Sequence, residues 1–166
     1  MKRTRNLIGN IYEVRVNSEF KRYFQFIARD RTLLGSDVIR VFEPPIAIDE
    51  SPDLNALVRG KADIFLHVFL RVGVKLGVWK KVGHSNEIGD LNVCFRDTDD
   101  YALGIEAGKR RVSETWWVWK VNEGPIYVGK LTGEYRDCHP GIVLPPDGVL
   151  EILKGHRFPP TYPSFE

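Results

Sequence analysis

Residues Lys61–Gly83, KADIFLHVFLRVGVKLGVWKKVG, decide how the rest of the chain is read. From Ile64 to Val78 every even-numbered position is apolar: Ile64, Leu66, Val68, Leu70, Val72, Val74, Leu76 and Val78. The odd positions carry Phe65, His67, Phe69, Arg71, Gly73, Lys75 and Gly77, so that face turns polar or bare from Arg71 onward. A period of two sends alternate side chains to opposite faces of a pleated strand. A helix would line up His67, Arg71 and Lys75 beside Ile64, Val68 and Val72, but the β-branched content and two internal glycines count against it. One straight strand would be roughly 50 Å long, well beyond the usual length. The reading is a bend or bulge at Gly73 or Gly77, dividing the run into two strand segments that share one buried face. Ile64, Leu66, Val68 and Leu70 are assigned to that face.

Towards the N-terminus, residues 1–6 are polar and basic and read as a loose arm. Gly9–Val16 and Tyr23–Ala28 alternate as two strands of a hairpin, and Asp37–Phe42 forms a third strand, ended by Pro44 and Pro45. Ser51 and Pro52 open a short helix bearing Leu54, Leu57 and Val58, with Gly60 as its stop. Towards the C-terminus, His84–Gly108 reads as loop around a short apolar piece, Leu91, Val93 and Phe95. Thr115–Val121, TWWVWKV, is a strong strand signal that pairs back with Ile126–Leu131. Trp117 and Trp119 share one face of it and are expected to fill the core; Trp116, on the other face, is expected to reach the surface. Asp147 caps a second short helix burying Val149, Ile152 and Leu153, closed by Gly155, and the final FPPTYPSF lies against the body. The fold class is mostly β (α+β): a single strongly bent or barrel-like antiparallel sheet with two short helices, in one globular domain spanning residues 1–166.

Composition narrows the function. The 166 residues are 43% hydrophobic and 28% charged, as in a soluble globular protein. A net charge of +2 announces neither nucleic acid nor membrane. No signal peptide and no membrane-spanning run is visible, which predicts a cytoplasmic protein. In that compartment Cys94 and Cys138 are expected as thiols, without a disulfide and without a metal. His67, His84, His139 and His156 are scattered. His84-Ser85 does not make a triad, Cys138-His139 lacks a second pair of metal ligands, and no phosphate-binding glycine loop is present. No catalytic, cofactor or metal residues are assigned.

The sharpest surface feature is the acidic loop Asp97, Asp99, Asp100 with Tyr101. Its acids lack the order of a calcium-binding EF-hand loop. As a protein-binding tip they combine charge steering with an aromatic anchor. Asp97, Asp99, Asp100, Tyr101 and Trp116 are therefore the candidate partner-binding residues. Lys80 and Lys81 beside Trp79, with Arg110 and Arg111 before Trp116, give the alternative of a small β-barrel that binds nucleic acid.

The blocks IGNIYEVRV, KRYFQFIARD, SDVIRVFEPP, HVFLRVGVKLGVWKKVG, FRDTDDY, WWVWKVN and YVGKL, spread over roughly residues 8 to 135, resemble the bacterial immunity protein 26 family. The resemblance implies a small, non-catalytic cytoplasmic protein that binds and neutralises a cognate polymorphic toxin inside the producing cell. It supplies no site residues, no oligomeric state and no identity for the toxin. Inhibitors of nuclease toxins are often strongly acidic. At +2, either the toxin is not a nuclease or the acidity is confined to a patch such as Asp97–Asp100.

Overall fold

The computed structural model describes residues 7–33, 35–101, 111–155 and 162–166. The elements in chain order are β1 Asn10–Arg15, β2 Phe20–Asp30, β3 Ser36–Phe42, β4 Ile46–Ala47, α1 Leu54–Arg59, β5 Ala62–Val68, α2 Leu70–Lys75 and β6 Lys80–His84. They continue with β7 Cys94–Thr98, β8 Trp116–Lys120, β9 Ile126–Gly129, a 3-10 turn at Gly133–Asp137, β10 His139–Pro140, β11 Val143–Leu144 and α3 Pro146–Leu153. The basic arm expected at residues 1–6 lies outside the described residues.

The organising run is a strand for its first half only. β5 runs antiparallel beside β3, with Leu66 opposite Ile39 and His67 opposite Val38. Leu66, Val68 and Leu70 are fully buried and Ile64 is half-buried against the same core, as the alternation predicts. After Val68 the chain turns into helix α2 instead of continuing as strand. The cause is not local. Asp37, across the sheet on β3, accepts the backbone N–H of Leu70 at 3.1 Å and so supplies a cap from a distant strand. Gly73 then lets the helix lie on the indole of Trp79, where a Cβ would stand 2.2 Å from the ring. Gly77, at φ +73°, makes the left-handed turn that leads out of the helix. The glycines expected to bend a strand seat and end a helix.

Two mixed sheets result. The larger orders its strands β11-β5-β3-β2-β1-β6, with β4 also paired to β2; the smaller runs β10-β7-β8-β9. β11 joins β5 and β10 joins β7 in parallel, and the other pairings are antiparallel. The fold is mostly β as expected, but no sheet is closed or strongly curled. The single barrel-like antiparallel sheet is thus replaced by two sheets. The long bent strand that would have carried the sheet round stops at Val68, and β8 pairs with β7 and β9 rather than with the N-terminal strands. A third helix, α2, joins the two expected. α1 is capped by Asp53, whose carboxylate accepts from Asn55 N, rather than by Ser51. α3 begins from Pro145 rather than from Asp147.

The larger sheet is covered on both faces. On one, Phe24, Phe26, Ile39, Val41, Leu66 and Val68 meet Leu70 of α2 and Val149 and Leu153 of α3. On the other, Ile27 and Val38 meet Phe95 and Trp119 of the smaller sheet, while Ile11, Tyr23 and Phe42 meet Leu57 and Val58 of α1. Burying both faces is why these strands read as near-continuous apolar runs. Cys94 and Cys138 form a disulfide, contrary to the expectation of free thiols. The parallel register of β10 on β7, His139 opposite Phe95, brings their neighbours Cys138 and Cys94 side by side. Among the described residues no helix is long and apolar enough to cross a membrane.

Candidate functional site

The acidic loop grows from the end of β7, where Asp97 faces Trp117 and Thr98 faces Trp116 on β8. Its members part company there. Asp100 turns inward, accepting hydrogen bonds from Thr115 Oγ1 at 2.6 Å and Ser113 Oγ at 3.0 Å, and pairing with Arg111 at 3.3 Å. Those hydroxyl donors hold its carboxyl below the usual range, with Arg111 adding to the effect. Tyr101 is half-buried, donates to Asp97 Oδ1 at 2.6 Å and packs edge-on against Tyr162. Burial first, and the adjacent Asp97 second, push its phenol far above the ordinary value.

Trp116, expected at the surface, is fully buried. Its indole Nε1 donates to Ser113 O at 2.8 Å, and its ring lies against Tyr162 and Phe165 of the C-terminal tail. The burial of Trp116 has a simple origin. Trp116 and Trp117 do occupy opposite faces, but the tail and the Ser113–Thr115 segment cover the side on which Trp116 lies. Trp117 is the half-exposed one, set edge-to-face on Tyr127 of β9 at 5.1 Å.

Asp99, exposed, and Asp97, half-buried, line a cleft of about 330 Å³. Its other lining residues are Thr32 and Leu33 from the β2–β3 turn, Thr98, Trp117, Trp119 and Pro125. Among the described residues no cationic side chain lines it. Asp97 Oδ1 is taken up by the hydroxyl of Tyr101 and by Thr98 N. Burial raises the pKa of this carboxyl more than those two donors lower it, and Asp99 raises it further. Of the five candidates, then, Asp97 and Asp99 line an open site, while Asp100, Tyr101 and Trp116 hold it in place from behind. The other six lining residues, Thr32, Leu33, Thr98, Trp117, Trp119 and Pro125, were not among the candidates. Only Trp117 and Trp119 carried a visible signal, as two of three tryptophans in a single strand.

Behind the cleft lies a buried polar knot. Asp30, without solvent exposure, accepts from Thr32 Oγ1 at 2.6 Å, Thr32 N at 3.0 Å and Asn122 N at 3.2 Å. It also accepts from Trp119 Nε1 and stands beside His67 Nε2, each at 3.1 Å. Burial alone would raise this carboxyl; the Thr32, His67 and Asn122 donors outweigh it and leave the pKa low. Burial likewise keeps His67 neutral, against the pull of Asp30. Nε2–H therefore donates to Asp30, and Nδ1 finds no partner among the described residues. An Asp–His pair resembles catalytic machinery, but both members of this one are fully buried. It ties β2 and β5 of one sheet to β8 of the other.

The remaining candidates are dispersed. His84 bonds Asn10 Oδ1 at 3.2 Å and Asn86 Oδ1 at 3.1 Å. Among the described residues no three His, Cys, Asp or Glu side chains converge to hold a metal. Lys80 and Lys81 are exposed, but Trp79 is buried beneath α2 and offers no stacking platform beside them. Arg111 is paired with Asp100, and Arg110 lies outside the described residues. No family model, curated protein or solved structure matches this chain.

Proposed function

We propose that the protein is a non-catalytic binding protein that neutralises a cognate toxin, an immunity protein of a polymorphic toxin system, and that it grips its target through the cleft side of the smaller sheet. One observation carries the reading: the half-exposed Trp117 of β8 and the exposed Tyr127 of the edge strand β9 pack together beside the carboxylates of Asp97 and Asp99 at the end of β7. Ile126 and Tyr127 of β9 are 61% and 54% exposed, too much apolar surface for an edge with nothing to bind. Aromatic anchors ringed by charge are the residues that dominate protein interfaces. Two carboxylates, and among the described residues no cation, line this patch while the chain as a whole is at +2, which suits a basic target without demanding an acidic protein.

The test is co-expression with the toxic domain encoded beside the gene. Cells should survive with the wild-type protein and die when Trp117→Ala or Tyr127→Ala, each verified as folded, replaces it. The absence of any neighbouring toxin, or full protection by both variants, overturns the reading. Action inside the producing cell belongs to the same proposal. The Cys94–Cys138 disulfide weighs against it, since cytosolic thiols are normally kept reduced.

A second reading, binding of single-stranded nucleic acid, rests on Arg71, Lys75, Lys80 and Lys81. All four are exposed, and none has an ion-pair partner among the described residues. Binding of that kind weakens steeply with salt, whereas a desolvated aromatic interface keeps most of its affinity.

A further inference from the structure

We infer that the cleft between the β2–β3 turn and β7–β8 is a receptor for one guanidinium group, an arginine side chain presented by the partner protein. The inference rests on the proposed partner-binding role of the same surface and adds the chemistry of what enters it. Size comes first. At about 330 Å³ the cleft sits at the bottom of the roughly 300–1,000 Å³ range of small-molecule sites, so it fits one side chain better than a cofactor.

The walls then choose the group. Trp117, Trp119, Leu33 and Pro125 give it flat apolar sides, and Asp97 and Asp99 give it negative charge at one wall. Asp97 Oδ2 and both oxygens of Asp99 accept no hydrogen bond and make no ion pair among the described residues. Asp30 adds a further negative charge behind Trp119, where it is saturated by its own donors, and Asp100 another, held by Thr115, Ser113 and Arg111. Arg31, adjacent in sequence to Thr32, is exposed but does not line the cleft.

An anion or a neutral apolar group would leave these carboxylates partly desolvated without compensation. A planar cation satisfies both demands, since a guanidinium stacks on indole faces while its N–H groups bridge carboxylate oxygens. An ammonium meets the charge but not the flat walls.

The experiment titrates the whole protein with N-acetylarginine methylamide, the matching citrulline analogue and the lysine analogue, following the tryptophan indole N–H signals by NMR. The arginine analogue should move the Trp117 signal saturably, and citrulline, which has the same shape without charge, should not. Asp99→Asn and Trp117→Phe, each checked for an otherwise unchanged spectrum, should weaken binding by about tenfold or more, as expected for loss of a charge-assisted contact. Equal binding of citrulline, stronger binding of lysine, no saturable shift, or a shift indifferent to both variants overturns the inference. The outcomes separate it from the function on which it rests. Toxin protection without arginine binding removes only the guanidinium receptor, and arginine binding without any toxin partner removes only the immunity role.

Discussion

Two pairings of carboxylate with tryptophan lie two residues apart along β8, and they could hardly be used more differently. Trp119 and Asp30 are buried, and the carboxylate is surrounded by donors from Thr32, Asn122, Trp119 and His67. Trp117 stands with Asp97 and Asp99 at a cleft open to solvent, where three of the four carboxylate oxygens have no partner among the described residues. The same two residue types serve cohesion at one position and, on the proposed reading, recognition at the next. What separates them is saturation. A carboxylate removed from water must collect every donor it needs from the fold, while one left at the rim keeps its valence for a partner.

Removing Asp30 should have the largest effect. Asp30→Ala leaves Trp119 Nε1, His67 Nε2, Thr32 N and Asn122 N without their acceptor in the interior, and should cost about 3–5 kcal/mol. Chemical denaturation measures it. A loss no greater than that of Asp99→Ala would erase the distinction between the two sites.

Next comes the smaller sheet's own staple. The Cys94–Cys138 disulfide joins positions 44 apart in sequence, linking β7 to the start of β10. Its removal in Cys94→Ser/Cys138→Ser should cost about 2–4 kcal/mol. The intact protein should weigh two hydrogens less than its reduced form under non-reducing mass spectrometry. Free thiols in the purified protein would contradict the pairing.

The buried knot also sets a pH dependence that the cleft does not share. His67 has a folded pKa depressed below about 6.5, so as pH falls through that value the unfolded chain takes up a proton that the folded one refuses. Stability therefore declines from about pH 6.5 downward, until the depressed folded value is reached. Asp30, depressed below 3.8, adds a second loss as pH falls through its own lower range. Both terms make acid destabilising. His67→Gln, which keeps an amide donor near Asp30, should flatten the upper part of the decline in urea midpoints taken from pH 8 to pH 4. An unchanged profile would remove His67 as its source.

The two sites were unequally legible in the sequence. β8 announced itself, because WWVWK alternates bulky side chains around a period of two, and the opposite faces of Trp116 and Trp117 followed directly. Which face would be covered did not follow, since the cover is Tyr162 and Phe165, more than forty residues away. β7 was hidden for a related reason. CFRDT carries one fully buried apolar side chain, Phe95, and its strand character comes from pairing with β8. The run from Leu70 to Lys75 satisfies both periods over six residues, and the deciding contacts, the Asp37 carboxylate on Leu70 N and the Trp79 ring against Gly73, are tertiary. The cysteine pair became visible only with the β10–β7 register. Strand character followed local alternation in β1, β3, β5 and β8; it failed where a distant side chain chose the conformation, as in α2.

The gentlest perturbation bears most directly on function. Trp117→Ala removes a half-exposed ring whose main intramolecular contact is the edge-to-face pair with Tyr127, so folding stability should fall by only about 1 kcal/mol. If this ring anchors the partner, the same substitution should weaken the complex by about 2 kcal/mol or more, through faster dissociation. Asp97→Asn and Asp99→Asn should act on the other rate. Their charges steer approach, so their loss should slow association and reduce its dependence on salt, with little change in dissociation. Trp116→Phe gives the internal contrast. It loosens the packing against Tyr162 and Phe165 behind the sheet, so it should lower stability without changing either rate in protein that remains folded. Surface plasmon resonance against the cognate toxin, at low and high salt, separates the three behaviours. A Trp117→Ala complex with unaltered kinetics, beside a Trp116→Phe complex that dissociates faster, would return the binding face to the side of the strand that the C-terminal tail now covers.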